Sequence, residues 1–189
     1  LRLFGPVYSR NPDMPAIPYY KRYSVVPNDI LPASEVASEI LHDLQEARIL
    51  LANDPVRTSG TMTSAPSDGS SSFMSYRTLR LNYYAVTALL ARCGLYFGDK
   101  DAAYDYAVEV IEAAGSGIFP FVDKSLVTGS PDDPDRIFSS EIIFALTHSQ
   151  RNKLFKNYYD PSRIPNYVFR MDNDLMSDLI FGGGALTGG

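Results

Sequence analysis

From Tyr76 to Gly115 apolar residues recur at spacings of three and four, the period that places side chains on one face of a helix. Leu81, Tyr84, Ala88, Ala91 and Leu95 mark the stripe of a first helix, and Ala103, Ala107, Val110 and Ala114 mark that of a second. Between them Tyr96-Phe97-Gly98-Asp99-Lys100 reads as a turn. Gly98 is suited to the left-handed backbone that ends a helix, and Asp99 to capping the next one by accepting hydrogen bonds from its free N–H groups. The facing stripes are rich in small residues, Ala85, Ala88 and Ala91 against Ala102, Ala103 and Ala107, so the pattern predicts a closely packed antiparallel hairpin.

A third helix is predicted over Ser34–Ala52. Ser34 is the expected N-cap, Glu35 favours the positive end of the helix dipole, and Val36, Ile40, Leu44, Ala47 and Leu51 form the buried stripe while Asp43, Glu46 and Arg48 look outward. Before it, Leu1 to Pro32 holds Pro6, Pro12, Pro15, Pro18, Pro27 and Pro32, each of which fixes φ and lacks an N–H. The segment is therefore an irregular arm. Phe4, Tyr8, Ile17, Tyr19, Tyr20 and Tyr23 give it too many apolar bodies for a free linker, so it is expected to lie against the helices. In Thr58–Ser72 eleven of fifteen residues are Ser, Thr or Gly, a composition that cannot offset its ordering entropy by burial and marks a long surface loop.

Beyond Gly115 the helical period is lost. Ser116 to Asp135 reads as a turn-rich loop, and Ile142-Ile143-Phe144-Ala145-Leu146 as a strand or buried extended segment. In the tail Phe155, Tyr158, Tyr159, Tyr167 and Phe169 alternate with Asn, Arg and Lys, and no regular element is evident before a short helix at Met171–Ile180. The pattern thus divides a single domain over 1–189 into an irregular arm (1–33), a helical core (34–115) and a loop-rich part (116–189).

Composition narrows the classes of function. At 189 residues with 45% hydrophobic content the chain is globular, and 17 basic against 22 acidic residues leave a net charge of −5 with no basic run to neutralise phosphates. Nucleic acid is not an expected partner. Cys93 is the single cysteine and lies mid-helix, so an internal disulfide is excluded and a buried structural thiol is expected. No stretch approaches the roughly 18 consecutive apolar residues of a membrane-spanning helix, and no signal segment stands at the start. The opening at Leu1 without Met and the end at Leu186-Thr187-Gly188-Gly189 point to a fragment of a longer protein.

Catalytic and metal motifs are not found. There is no nucleophile elbow and no phosphate-binding Gly-Lys-Ser or Gly-Lys-Thr; Gly182-Gly183-Gly184 lacks a following lysine. His42 and His148 are far apart in sequence and have no Cys nearby, and His42 beside Asp43 is read as structural or solvated. Asp132, Asp133 and Asp135 lack the glycine and distal glutamate of a calcium loop. No enzyme, cofactor or metal is therefore expected.

The order of these signals resembles the SusD/RagB family. It runs through Ile17-Pro18-Tyr19, Val36 to Ala47, the alanine-arginine helix Ala88-Leu89-Leu90-Ala91-Arg92 ending in Tyr96-Phe97-Gly98-Asp99, the following Ala107-Val108-Glu109-Val110-Ile111, and Ser140 to Leu146. The resemblance covers roughly residues 17–147, with gaps over the serine-rich loop. The hairpin also resembles a tetratricopeptide repeat: aligned on Gly98, Leu90, Ala91 and Ala103 fall where that repeat takes a leucine and small residues, whereas Ala107 and Val110 fit less well.

The resemblance implies a mainly α, tetratricopeptide-like scaffold with long irregular loops. It implies a non-catalytic outer-membrane lipoprotein, exposed at the cell surface, that binds an oligosaccharide or other nutrient and delivers it to a SusC-like TonB-dependent transporter. Attachment to the membrane would be only through an N-terminal lipid anchor absent from this chain, since Cys93 is mid-helix. Aromatic faces stacking on sugar rings, with polar side chains on the hydroxyls, would supply tolerant binding. The ligand-binding candidates are Tyr158, Tyr159 and Tyr167 with Asn157 and Arg163. The alternative is a helical-repeat module that binds a protein or peptide on its concave face.

Overall fold

The structure, a computed structural model, describes residues 5–69, 72–128 and 134–160. The chain divides into two compact units, Leu1–Leu146 and Thr147–Gly189. About half of the described residues are helical, and the protein is mainly α. In chain order the elements are β1 (Pro15–Pro18), β2 (Ile30–Pro32), α1 (Ala33–Leu50), α2 (Val56–Ser59), α3 (Tyr83–Phe97), α4 (Lys100–Gly115), α5 (Lys124–Thr128) and α6 (Arg151–Tyr158). Short 3₁₀ turns stand at Ser72–Met74, Arg77–Leu79 and Ser139–Glu141.

The hairpin of α3 and α4 forms at the turn the sequence marks. Gly98 has φ 93°, and the Asp99 side chain accepts from the Ala102 N–H at 3.0 Å. The first helix begins at Tyr83 rather than Tyr76, because Asn82 is its N-cap: its side-chain oxygen accepts from the Ala85 N–H at 2.9 Å. Leu81 therefore lies outside the helix and is exposed, and Leu95 faces outward as well. The buried face of α3 is Tyr83, Thr87, Leu90 and Gly94, with Tyr84, Ala85 and Val86 beside it. The tight contact of the two helices pairs Ala103 of the alanine stripe with a glycine outside it. A Cβ added at Gly94 would stand 3.0 Å from the Asp99 carbonyl oxygen and 3.2 Å from the Ala103 Cβ, so Gly94 and Ala103 set the spacing.

The arm is not wholly irregular, since β1 and β2 pair antiparallel with Ile17 opposite Leu31 and a bulge between Pro15 and Ile17. Two strands expose only edges, which is where proline is tolerated. The arm then closes the start of α1. The N–H groups of Ala33 and Ser34 donate to the carbonyls of Met14 (3.0 Å) and Pro12 (2.7 Å), so backbone oxygens do the capping expected of the Ser34 side chain, and Ser34 lies inside the helix. The Tyr8 ring packs 4.8 Å from that of Phe97, and Lys21 pairs with Glu39 at 2.6 Å. The arm touches the helices through Tyr8 and Lys21, but Tyr20 and Tyr23 are exposed and Phe4 lies outside the described residues, so its apolar residues are only partly packed there.

Val56, Tyr83, Tyr84, Ala113 and Phe119 form the core cluster, with Leu51, Ala114, Ile118 and Ile143 packed around it. The Tyr84 ring meets those of Tyr83 and Phe119 edge to face at 5.4 and 5.7 Å. Residues 142–146 form no strand and bend at Ile143; the Ala145 N–H donates to the Thr78 carbonyl at 2.8 Å, and Ile143 and Ala145 are half-buried while Leu146 is exposed. Within the predicted loops, α2 takes up Thr58 and Ser59, α5 interrupts the stretch after Gly115, and Phe119 is buried. In the second unit α6 carries Leu154, Phe155 and Tyr158 at helical spacing, where the sequence suggested no regular element before Met171. The aromatic-polar alternation there masks a one-sided stripe. Met171–Ile180 lies outside the described residues.

Candidate ligand-binding site

Of the five residues proposed from sequence, three are described. Asn157 and Tyr158 end α6, and Tyr159 follows as its C-cap residue. The two tyrosines are 44% and 57% exposed. Successive helical residues diverge by about 100°, so Asn157 and Tyr158 do not share a face. Arg163 and Tyr167 lie outside the described residues, as do Asp132 and Asp133. Asp135 is an acceptor for the Ser139 N–H and hydroxyl at 2.8 and 2.7 Å, bonds that hold its carboxyl below the ordinary aspartate range.

A second concentration of polar and aromatic groups lies where α1, α3 and α4 meet. Tyr83 projects from the first turn of α3, and its hydroxyl donates to Glu109 of α4 at 2.6 Å. The other Glu109 oxygen accepts from Arg48 of α1, also at 2.6 Å. Arg48 is half-buried rather than outward-facing: its guanidinium lies 5.2 Å from the Tyr83 ring centre and 5.4 Å from that of Tyr106. Arg57 stacks on Tyr83 at 4.3 Å and donates to the Ala52 carbonyl at 2.6 Å. Burial, reinforced by the Glu109 hydrogen bond, raises the Tyr83 pKa above its ordinary value. The phenol is thus a fixed donor at neutral pH.

Deeper in, Asp54 receives the Arg77 guanidinium at 2.5 Å and the Tyr83 N–H at 3.0 Å on one oxygen, and the Val56 N–H at 3.0 Å on the other. Asp54 and Arg77 are almost completely buried. Asn82, fully buried, donates to the carbonyls of Arg77 (2.9 Å) and Ile143 (2.8 Å) while its oxygen caps α3. Each oxygen of both carboxylates, Asp54 and Glu109, accepts from a protein donor, which makes them fasteners of the helices. A polar cavity of about 440 Å³ opens beside Asp54, lined also by Ala52, Asn53, Arg57, Thr58 and Tyr84.

The sequence reading did not single out Asp54, Arg57, Arg77, Asn82 or Glu109. Asn82 immediately before an apolar run is a recognisable helix start. The ion pairs carry no sequence signal, since Arg48 and Glu109 are separated by 61 positions. Cys93 is half-buried rather than buried, and burial pushes its thiol pKa up. His42 is exposed on α1, 3.5 Å from Glu46. Among the described residues no helix is long and apolar enough to cross a membrane. No family model, curated protein or solved structure matches the chain.

Proposed function

We propose that this chain belongs to a non-catalytic, cell-surface binding protein of the SusD/RagB kind. It captures an oligosaccharide or similar nutrient and passes it to a SusC-like TonB-dependent transporter of the outer membrane, to which a lipid anchor keeps it close. The observation that carries this reading is that the sequence signals of the resemblance are fastened into one unit. Arm carbonyls close the start of α1, the α3–α4 hairpin turns at Gly98-Asp99, and residues 142–146 are tied to the start of α3 through Asn82 and Thr78. A tetratricopeptide-like scaffold is part of the proposal, supported by the tight Gly94–Ala103 contact.

Capture is assigned to stacking on Tyr158 and Tyr159, which are 44% and 57% exposed. Replacing either with Ala is expected to weaken oligosaccharide binding by roughly 1–3 kcal/mol, up to about a hundredfold, with the fold intact. Calorimetric titration of the variants measures this. Unchanged affinity in both would remove the tyrosines from the site, and binding of peptides in place of any glycan would favour a helical-repeat interaction module.

A further inference from the structure

The connection between β1 and β2 gathers two tyrosines and two cations at the surface, of which the fold uses the Tyr20 hydroxyl and Lys21. Tyr23 is 95% exposed, Tyr20 is about half exposed, and between them stand Lys21 and Arg22. The loop is held in shape from within and below: the Asn28 N–H donates to the Tyr20 hydroxyl at 3.2 Å, the Asn28 side chain to the Tyr19 carbonyl at 2.7 Å, and the Tyr19 hydroxyl to Asp43 of α1. Two cavities flank it. One, of about 320 Å³, includes Glu39, which Lys21 already neutralises. The other, of about 360 Å³, is lined by Tyr20, Lys21, Arg22, Tyr23 and Ser24, with two cations and no carboxylate. Arg22 makes no ion pair among the described residues.

We infer that this second cavity is a binding site for an acidic sugar unit, a pyranose ring bearing a carboxylate. It is an open surface depression formed by five consecutive residues, with room for one sugar unit held on one side. The Tyr20 and Tyr23 rings supply apolar faces for the sugar ring, and the Arg22 guanidinium supplies the planar pair of donors that matches a carboxylate. Lys21 lines the same cavity but its charge is offset by Glu39, 2.6 Å away, so Arg22 is the cation left for the ligand. The inference rests on the reading of the chain as a glycan-binding protein and adds to it a ligand class and a second place of contact.

The test titrates the protein with trigalacturonic acid and with its fully methyl-esterified form, which has the same rings and no charge. Wild type is expected to bind the acid about tenfold or more tightly than the ester, a preference that Arg22→Ala abolishes and Arg22→Lys reduces. Tyr23→Ala should weaken both ligands alike, and Tyr158→Ala should leave the preference intact. Equal affinity for acid and ester, or a preference that survives Arg22→Ala, overturns the acidic-sugar site; if glycan binding is then lost on replacing Tyr158 and Tyr159, the proposed function stands without it. Absence of binding by either trimer and by neutral oligosaccharides overturns both. Circular dichroism melting of each variant confirms the fold, and Arg22, Tyr23 and Tyr158 are exposed enough for it to be unchanged.

Discussion

Replacing Asp54 with Ala removes a buried carboxylate that accepts three hydrogen bonds. The substitution strands the Arg77 guanidinium, only 6% exposed, and leaves the N–H groups of Val56 and Tyr83 without their acceptor. Breaking a buried pair by deleting one partner costs about 3–5 kcal/mol, and each stranded buried donor about 1–3 kcal/mol before water intervenes. The cavity beside Asp54 admits water to part of this gap, so about 4 kcal/mol is expected. That is a large share of the roughly 5–15 kcal/mol that holds a domain together. In urea it should move the unfolding midpoint down by roughly 1–4 M at an unchanged slope. Asp54→Leu combined with Arg77→Met should be less damaging than the single alanine change, because no charge is then stranded, although the two N–H groups remain unserved. An Asp54→Ala protein within about 1 kcal/mol of wild type would refute the argument that this pair fastens the start of α3.

Gly94→Ala should destabilise by about 1–3 kcal/mol, the opposite of the gain of about 1 kcal/mol that alanine normally gives within a helix, because its Cβ meets backbone atoms at the hairpin contact; a raised melting temperature would contradict this. Asp99→Ala should cost about 1 kcal/mol through loss of the α4 cap, and its backbone amide exchange should accelerate in the first turn of α4 alone. The Tyr19 hydroxyl is pushed up to about 12 chiefly by its hydrogen bond to Asp43. A pKa raised on folding stabilises fully below the unfolded value near 10 and is lost as pH rises toward 12, so the arm should loosen over that window, and Tyr19→Phe should remove this alkaline step from an absorbance titration.

Much of the fold was legible because its signals are local. Gly98 and Asp99 end one helix and begin the next through backbone conformation and capping that depend on a few neighbours, and the prolines of the arm act on their own φ angles. What escaped is long-range. The true face of α3 follows from where Asn82 starts the helix, which rotates the stripe so that Tyr83, Thr87, Leu90 and Gly94 point inward while Leu81 and Leu95 do not. Ser34 lost its capping role because carbonyls some twenty positions earlier occupy the helix start, which no pattern within the helix announces. The Arg48–Glu109–Tyr83 cluster and the Asp54–Arg77 pair exist only once the helices meet. Of the candidate site, the accessibility of Tyr158 and Tyr159 is compatible with stacking, but their place at the end of α6 was hidden by the polar residues Lys156 and Asn157 that separate them from Phe155. The arm loop was noticed only for its apolar bodies, since a cavity beside Arg22 arises from hairpin geometry.

The central claim is that the protein binds glycans without altering them. Its most direct measurement is a calorimetric screen of neutral and acidic oligosaccharides, with chromatography of each sugar after prolonged incubation. The account predicts saturable binding of at least one oligosaccharide, recovered at its original length. Shortened products, or no binding across the panel, would contradict it.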